Sequence, residues 1–425
     1  MNFHFHSGLV TAGLGLLIAL SPAARAADGS AGSLWKVGEP IVTYWAGPPM
    51  TDAAASQMAQ GGWNVVWCGE KDLDLVHRHG LRAQLQDPLL APASLEDPVQ
   101  LERLDALVAR VRRHPALYDY FITDEPNATN FPALGKLVAR LRERDPAHLA
   151  YINLFPIYAS NDQLGNRGDA VPAYQAHLRQ FIDTVKPALI SYDHYQFKTN
   201  GDSAQYFLNL DLVRRAAQDA GVPFLNIVQA ATWDPSVRAP KPDEMRFLVY
   251  TTLAYGAQGI SYYVYCCAGH TGGIANADGT PTPLYAALKT LNREFAAAAL
   301  ELQPLQSLGV YHAGMLPPGA VALPKDAPFT PDPPVPAMDY KPPQPAKGLL
   351  LGYFGPTPKS GNVSSPTHVV VVNLDYGAEA VLGISGPAEL EMFDAATGQW
   401  SPASGRRAGL RLLPGGGKLL RAARP

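Results

Sequence analysis

From residue 41 to about residue 300, short runs of β-branched and aromatic residues alternate with longer segments whose apolar positions recur every three to four residues. The short runs are Ile41–Trp45, Trp63–Trp67, Leu81–Gln86, Tyr118–Thr123, Leu149–Leu154, Leu189–His194, Phe224–Gln229 and Ile260–Tyr265, and each reads as a strand. The intervening segments read as helices. In Leu101–Arg113 the residues Leu101, Leu104, Leu107, Val108 and Val111 share one face, and Phe131–Arg144 follows the same period. Strand followed by helix, eight times over, predicts a parallel α/β sheet closed into a (β/α)8 TIM barrel across residues 34–312. A helix from Pro283 to about Leu300 is its expected last element.

Beyond the barrel the pattern changes. Residues 313–347 are crowded with proline, as in Asp332-Pro333-Pro334 and Lys341-Pro342-Pro343, and predict an extended linker or covering loop. Residues 348–425 alternate, as in His368–Asn373 and Glu389–Phe393, with Gly, Pro and Asp turns between the runs. That predicts a small C-terminal antiparallel β-sandwich domain.

Residues 1–26 carry an apolar run from Leu9 to Leu20 and then Ala24 and Ala26 in the small-x-small spacing of a signal-peptidase site. The expectation is a cleaved secretory signal, hence a periplasmic or secreted protein with no stable membrane association after its removal. An uncleaved anchor is the alternative, for which the apolar run is short. Three cysteines, Cys68, Cys266 and Cys267, are too few for a disulfide framework. A net charge of -3, with no basic run, argues against a nucleic-acid partner. His194 and His270 lack the spacing of a metal site, so neither a catalytic metal nor another cofactor is expected.

Chemistry in such a barrel sits at the C-terminal ends of the strands. Those ends deliver Tyr44 and Trp45, Trp67 and Glu70, Gln84, Gln86 and Asp87, Asp124 and Glu125, Asn153, Tyr192, Asp193 and His194, Gln229, Thr232 and Trp233, and Tyr263 and Tyr265. The strongest segment is Tyr118–Asn127, an apolar strand ending in Asp124-Glu125-Pro126. A carboxyl there is partly desolvated, which raises its pKa toward that of a general acid. Glycosidic cleavage needs such a donor because the alkoxide is a poor leaving group. The structural alternative has Asp124 capping the next helix and Glu125 paired with an arginine. Trp45, Trp67, Tyr195, Trp233 and Tyr265 are candidates for stacking on sugar rings, with Tyr44, Asp87, Asn153, Tyr192, His194 and Gln229 as further substrate contacts.

Over roughly residues 40–310 the chain resembles the clan A barrel glycoside hydrolases, β-galactosidase-like members in particular. The segments Thr123-Asp124-Glu125-Pro126, Ser191–Tyr195, Gly256–Tyr263 and Thr282–Tyr285 running into Leu288–Asn292 carry the likeness. The resemblance implies a carbohydrate substrate and an acid/base role for Glu125. The chain departs from it twice. Asp124 stands where the clan places Asn, and the seventh strand ends in Gln229 where the clan places its nucleophilic Glu. The second carboxylate is therefore sought at Asp193, as base in an inverting reaction or as nucleophile. The Asp124-Glu125 pair also resembles that of substrate-assisted N-acetylhexosaminidases, in which the substrate's acetamido group is the nucleophile, and Tyr192-Asp193 resembles chitinase-type barrels. A glycan-binding barrel without catalysis is the non-enzyme alternative, motivated by Gln229.

Overall fold

The computed structural model describes residues 34–357 and 365–423. The expected signal segment, residues 1–26, lies outside the described residues. Eight parallel strands, Ile41–Trp45, Val65–Cys68, Arg82–Leu85, Leu117–Asp124, Leu149–Leu154, Ile190–His194, Phe224–Gln229 and Gly259–Tyr263, form one sheet, with the eighth strand beside the first. The first and second strands end the ladder, and a side chain completes it. Asn64 donates its backbone N–H to Val42 O at 3.0 Å and accepts Val42 N–H on Oδ1 at 2.9 Å, so its carboxamide bridges the seam. Helices including Pro98–Val111, Phe131–Arg144, Ala170–Val185, Tyr206–Ala220, Pro242–Ala254 and Pro283–Leu302 surround the sheet. The fold is a (β/α)8 barrel followed by antiparallel sheets.

Alternation sorts the strand residues. Ile41, Val65, Leu149, Leu189 and Leu225 pack together at the N-terminal end of the barrel interior, while Val42, Tyr44, Tyr192 and Val228 face the helical layer. No described helix is long and apolar enough to cross a membrane.

The second half begins earlier than residue 313. Gln306–Gly314 follows the last barrel helix directly and pairs antiparallel with Gly348–Gly355. A six-stranded sheet continues through His368–Asn373, Gly417–Ala422, Leu390–Asp394 and Gln399–Pro402, and a three-stranded sheet combines Thr330–Asp332, Ala380–Ser385 and Arg407–Leu412. Leu351, Val369, Val371 and Leu420 fill the space between these sheets. Leu350, Val370, Val372 and Leu419 face the other way, into the barrel's helical core. Both faces are thus buried, which is why His368–Asn373 reads as a run of valines. The approach to the barrel is close: a Cβ at Gly352 would lie 2.0 Å from Ala254 O. Each aliphatic side chain buried there contributes about 1.5–3 kcal/mol, enough together to hold the halves as one unit.

Candidate active site

The fourth strand positions the central carboxyl. Its ladder with the fifth strand shifts register between Phe121 and Thr123, and Glu125 N–H donates to Asn153 O at 2.9 Å. Glu125 itself has φ 42°, the left-handed region that a residue with a Cβ adopts at a cost of about 1–2 kcal/mol. The buried Pro126 follows and Asn127 caps the next turn, its Oδ1 accepting Thr129 N–H at 2.9 Å. Asp124 is therefore not the cap, and the Glu125 side chain faces a carboxyl rather than an arginine.

That carboxyl is Asp193, buried at the end of the sixth strand. Its Oδ1 accepts Asn153 Nδ2–H at 2.9 Å, and the same amide donates to Asp124 Oδ1 at 3.0 Å. Asp193 Oδ2 is buried without a hydrogen-bond partner among the described residues, and the Glu125 carboxyl lies near enough for each group to shift the other's ionisation. Asn153 is itself fixed, since Ser191 Oγ–H donates to its Oδ1 at 3.0 Å and Tyr151 lies 2.7 Å beyond Ser191.

Burial dominates the electrostatics. It pushes Glu125 up to about 7, with the Asp124 charge adding to the rise and the Asp193 hydrogen bond opposing it. Asp193 is driven well above the carboxylate range, first by burial and then by the charges of Glu125 and Asp124. Asp124 opens to solvent at the mouth, yet the surrounding protein still moves it upward, against the Asn153 hydrogen bond. Two neighbouring buried carboxyls cannot both ionise cheaply, so each disfavours the charge of the other. A further acid, Asp119, is buried inside the barrel beside Gln84 and is likewise raised by burial.

Aromatic rings occupy two sides of the mouth. Trp45, Trp67 and Phe121 form one group, with centroids 4.9 to 5.5 Å apart. Tyr195, Trp233 and Tyr263 form the other, with centroids 4.5 to 5.1 Å apart, and His270 packs on Trp233 and Tyr263. All seven side chains are half-buried, leaving ring surface accessible.

The structure thus brings together Glu125, Asp193, Asp124, Asn153, Trp45, Trp67, Tyr195 and Trp233. It directs the other candidates elsewhere. Tyr44 and Tyr265 pack against each other in the outer layer, Tyr44 OH accepting Trp67 N–H and Tyr265 OH accepting Gln57 Nε2–H. Tyr192 is fully buried among the helices and its hydroxyl has no partner among the described residues. His194 is wedged between Asn209 Oδ1 at 2.9 Å and Ser203 Oγ at 3.0 Å, and burial lowers it to about 4, so it is a neutral scaffold residue. Asp87 closes its own loop through Leu89 N–H at 2.8 Å, and Glu70 is paired with Arg110. Gln86 is a half-buried loop residue, and Thr232, half-buried in the short strand Ala231–Thr232, binds the backbone carbonyls of Asp234 and Val237.

Gln229 has a structural explanation. The chain after the sixth strand forms a hairpin, Phe197–Lys198 with Gly201–Asp202, that lies over the end of the seventh strand. Gln229 Oε1 accepts Phe197 N–H at 2.8 Å, and its Nε2 donates to Phe197 O at 3.1 Å and to Arg238 O. The carboxamide acts as a peptide-like partner for the hairpin and is wholly buried. A carboxylate lacks the two donated bonds. The hairpin is also held from the C-terminal half. Tyr376 OH donates to Asp202 at 2.9 Å, and Asp202 N–H donates to Pro343 O at 2.8 Å.

Sequence reasoning missed Tyr158 and Phe121. Tyr158 OH accepts Tyr195 N–H at 3.3 Å and its ring lies 5.0 Å from His194. Tyr158 belongs to a loop without periodicity. The parity of the sixth strand was available in the sequence: if Asp193 points inward, Tyr192 and His194 point outward.

A β-galactosidase family model matches residues 177–297. The chain resembles the clan A barrel glycoside hydrolases. The matched region holds the sixth, seventh and eighth strands, with Asp193, the hairpin and the Tyr195–Trp233–Tyr263 group. Comparison with curated proteins gives no match. Among solved structures, a β-galactosidase from the psychrophilic Marinomonas ef1 aligns at 12% identity and TM-score 0.45, over 65% of this chain and 62% of that one. The chain thus spans less than two thirds of that enzyme. A glycoside hydrolase family 5 protein from Bacteroides vulgatus aligns at 11% identity and TM-score 0.49, over 90% and 88% of the two chains.

Proposed function

We propose that this chain is an exported glycoside hydrolase acting on oligo- or polysaccharides, with Glu125 as general acid/base and Asp193 as its partner carboxyl. The observation that carries this reading is the cluster of Asp124, Glu125 and Asp193 at the mouth of the barrel, with Asn153 joining Asp124 to Asp193, between two groups of half-buried aromatic rings. A carboxyl with a pKa near 7 can donate to the leaving oxygen as the glycosidic bond breaks, and its partner can activate water or attack the anomeric carbon. The ring groups offer apolar faces to the C–H faces of a sugar.

The test is hydrolysis of aryl glycosides and natural oligosaccharides, 2-acetamido sugars included, by the wild type beside Glu125→Gln. The variant should lose about 10²- to 10⁴-fold in kcat. Unchanged kcat in that variant would refute the acid/base role, and glycan binding without turnover by the wild type would point to a binding barrel.

The substrate-assisted reading is kept because Asp124 adjoins Glu125 and Gln229 removes the usual nucleophile. Glu125 must hold its proton in order to donate it, so in both readings kcat/KM falls as pH rises through about 7. The sugar separates them: an acetamide nucleophile requires a 2-acetamido substrate, whereas a carboxyl pair also turns over glycosides that lack that group.

A further inference from the structure

We infer that the hairpin after the sixth strand carries a subsite for an anionic sugar substituent, a uronate carboxylate or a sulfate ester, with Lys198 as its cation. This inference rests on the glycosidase reading for its ligand class. Lys198 lies two residues beyond Gln196 in a segment fastened on several sides. Phe197 is clipped by Gln229, Thr199 N–H donates to Ser236 O at 2.9 Å, and Lys198 itself bridges to Val237. The backbone at Lys198 is therefore held in place. Its Nζ sits 5.3 Å from the centroid of the Tyr158 ring, and Tyr158 OH is bonded to Tyr195, which packs on Trp233 and Tyr263 at the mouth.

The cation has no ion-pair partner among the described residues. Asp234 is near enough to be felt, but it lies outside ion-pair distance and is engaged with Ser236. Arg238, on the same wall, shows the contrast: both of its terminal nitrogens meet Glu244 at 2.8 Å. Half-buried beside an aromatic ring, the Lys198 ammonium has given up part of its hydration, and burial lowers its pKa. A partly desolvated cation without a counter-charge gains most from an incoming anion. The carboxyls at the barrel axis disfavour a second negative charge there, whereas the hairpin offers a positive one beside the stacking rings. A neutral glycan leaves the ammonium uncompensated, so the anionic one is selected.

The experiment uses the full chain carrying Glu125→Gln, so that ligands are bound and not consumed. An array of neutral, uronate-bearing and sulfated oligosaccharides is probed first. The best acidic binder and its neutral counterpart, with the carboxyl reduced to the alcohol or the sulfate removed, are then titrated by calorimetry. The acidic ligand should bind at least about ten-fold tighter. Adding Lys198→Gln should collapse that ratio, Lys198→Arg should preserve it, and salt should weaken it. The uronate and sulfate arms identify which anion is held. An array without acidic binders, or a ratio untouched by Lys198→Gln, overturns the subsite. Wild-type turnover is scored separately: acidic glycans bound through Lys198 but never cleaved leave the subsite standing and sink the hydrolase reading. Cleavage confined to neutral glycans, with the same rates in Lys198→Gln, does the reverse.

Discussion

The ends of the fourth and seventh strands occupy comparable positions on one barrel, yet they are built for opposite ends. At the fourth, a carboxyl in a strained left-handed conformation faces a second carboxyl and remains accessible, and its proton is held to about pH 7. At the seventh, a carboxamide of nearly the same shape is sealed beneath a hairpin and spends its donors and acceptor on backbone groups. Strand position alone therefore does not fix what a polar side chain is free to do. Access and unmet hydrogen-bonding capacity separate the two ends, and Gln229 has neither.

The sharpest challenge to this contrast is Gln229→Glu. Restoring a carboxylate at the seventh strand buries a charge and removes the bonds donated to Phe197 O and Arg238 O, so stability should fall by about 3–5 kcal/mol. Chemical denaturation measures it, and a stable variant with raised turnover would show that the position can serve as a nucleophile site. Tyr376→Phe is milder. It removes the hydroxyl donated to Asp202, a carboxyl that burial already holds up at about 6. It should cost about 1–2 kcal/mol and raise KM more than it lowers kcat, because the hairpin loosens while the Glu125–Asp193 pair is untouched. An equal change in both parameters would mean the hairpin does not border the substrate.

Glu125→Gln should act in the opposite direction on stability. The folded chain holds this proton to about pH 7, whereas a free glutamic acid releases it near 4.5. Stability linked to Glu125 is thus full at low pH and is lost as pH rises from about 4.5 through 7. The variant should be more stable than wild type by about 1–2 kcal/mol at pH 8, with the gap closing toward pH 4. Thermal melts across that range would show parallel curves if Glu125 were solvated and inert. Smallest of all, Tyr192→Phe deletes a buried hydroxyl that lacks a partner among the described residues. Stability should change by less than about 1 kcal/mol, and kcat/KM should stay at the wild-type value; a large loss of turnover would return Tyr192 to the site.

Much of the barrel was legible because its signals are local. Ile41–Trp45, Leu149–Leu154 and Phe224–Gln229 occur as strands with the limits their apolar runs suggest, and the other five differ by one or two residues at their ends. The expected break at residue 313 was not a break in structure, because Gln306–Gly314 owes its strand pairing to Gly348–Gly355, more than thirty residues on. In the site, the carboxyls could be named from strand ends and their chemistry. What could not be read was company: that Asn153 ties Asp124 to Asp193, or that Gln229 faces Phe197, depends on neighbours in space. Tyr44, Tyr192, His194 and Tyr265 lie near strand ends yet are buried away from the mouth, because alternation turns every second strand residue toward the helices.

The clasp between Tyr376 and Asp202 has a consequence for what counts as the inheritable unit of function. One wall of the barrel mouth is stapled by a residue more than 170 positions later in the chain. A transplant of the barrel sequence alone into another context would bring the carboxyl pair but not the fastening of the wall beside it. Substitutions around Tyr376 and around the 197–202 hairpin would be expected to drift together, and substrate preference could be retuned from the C-terminal sheets without altering any strand of the barrel.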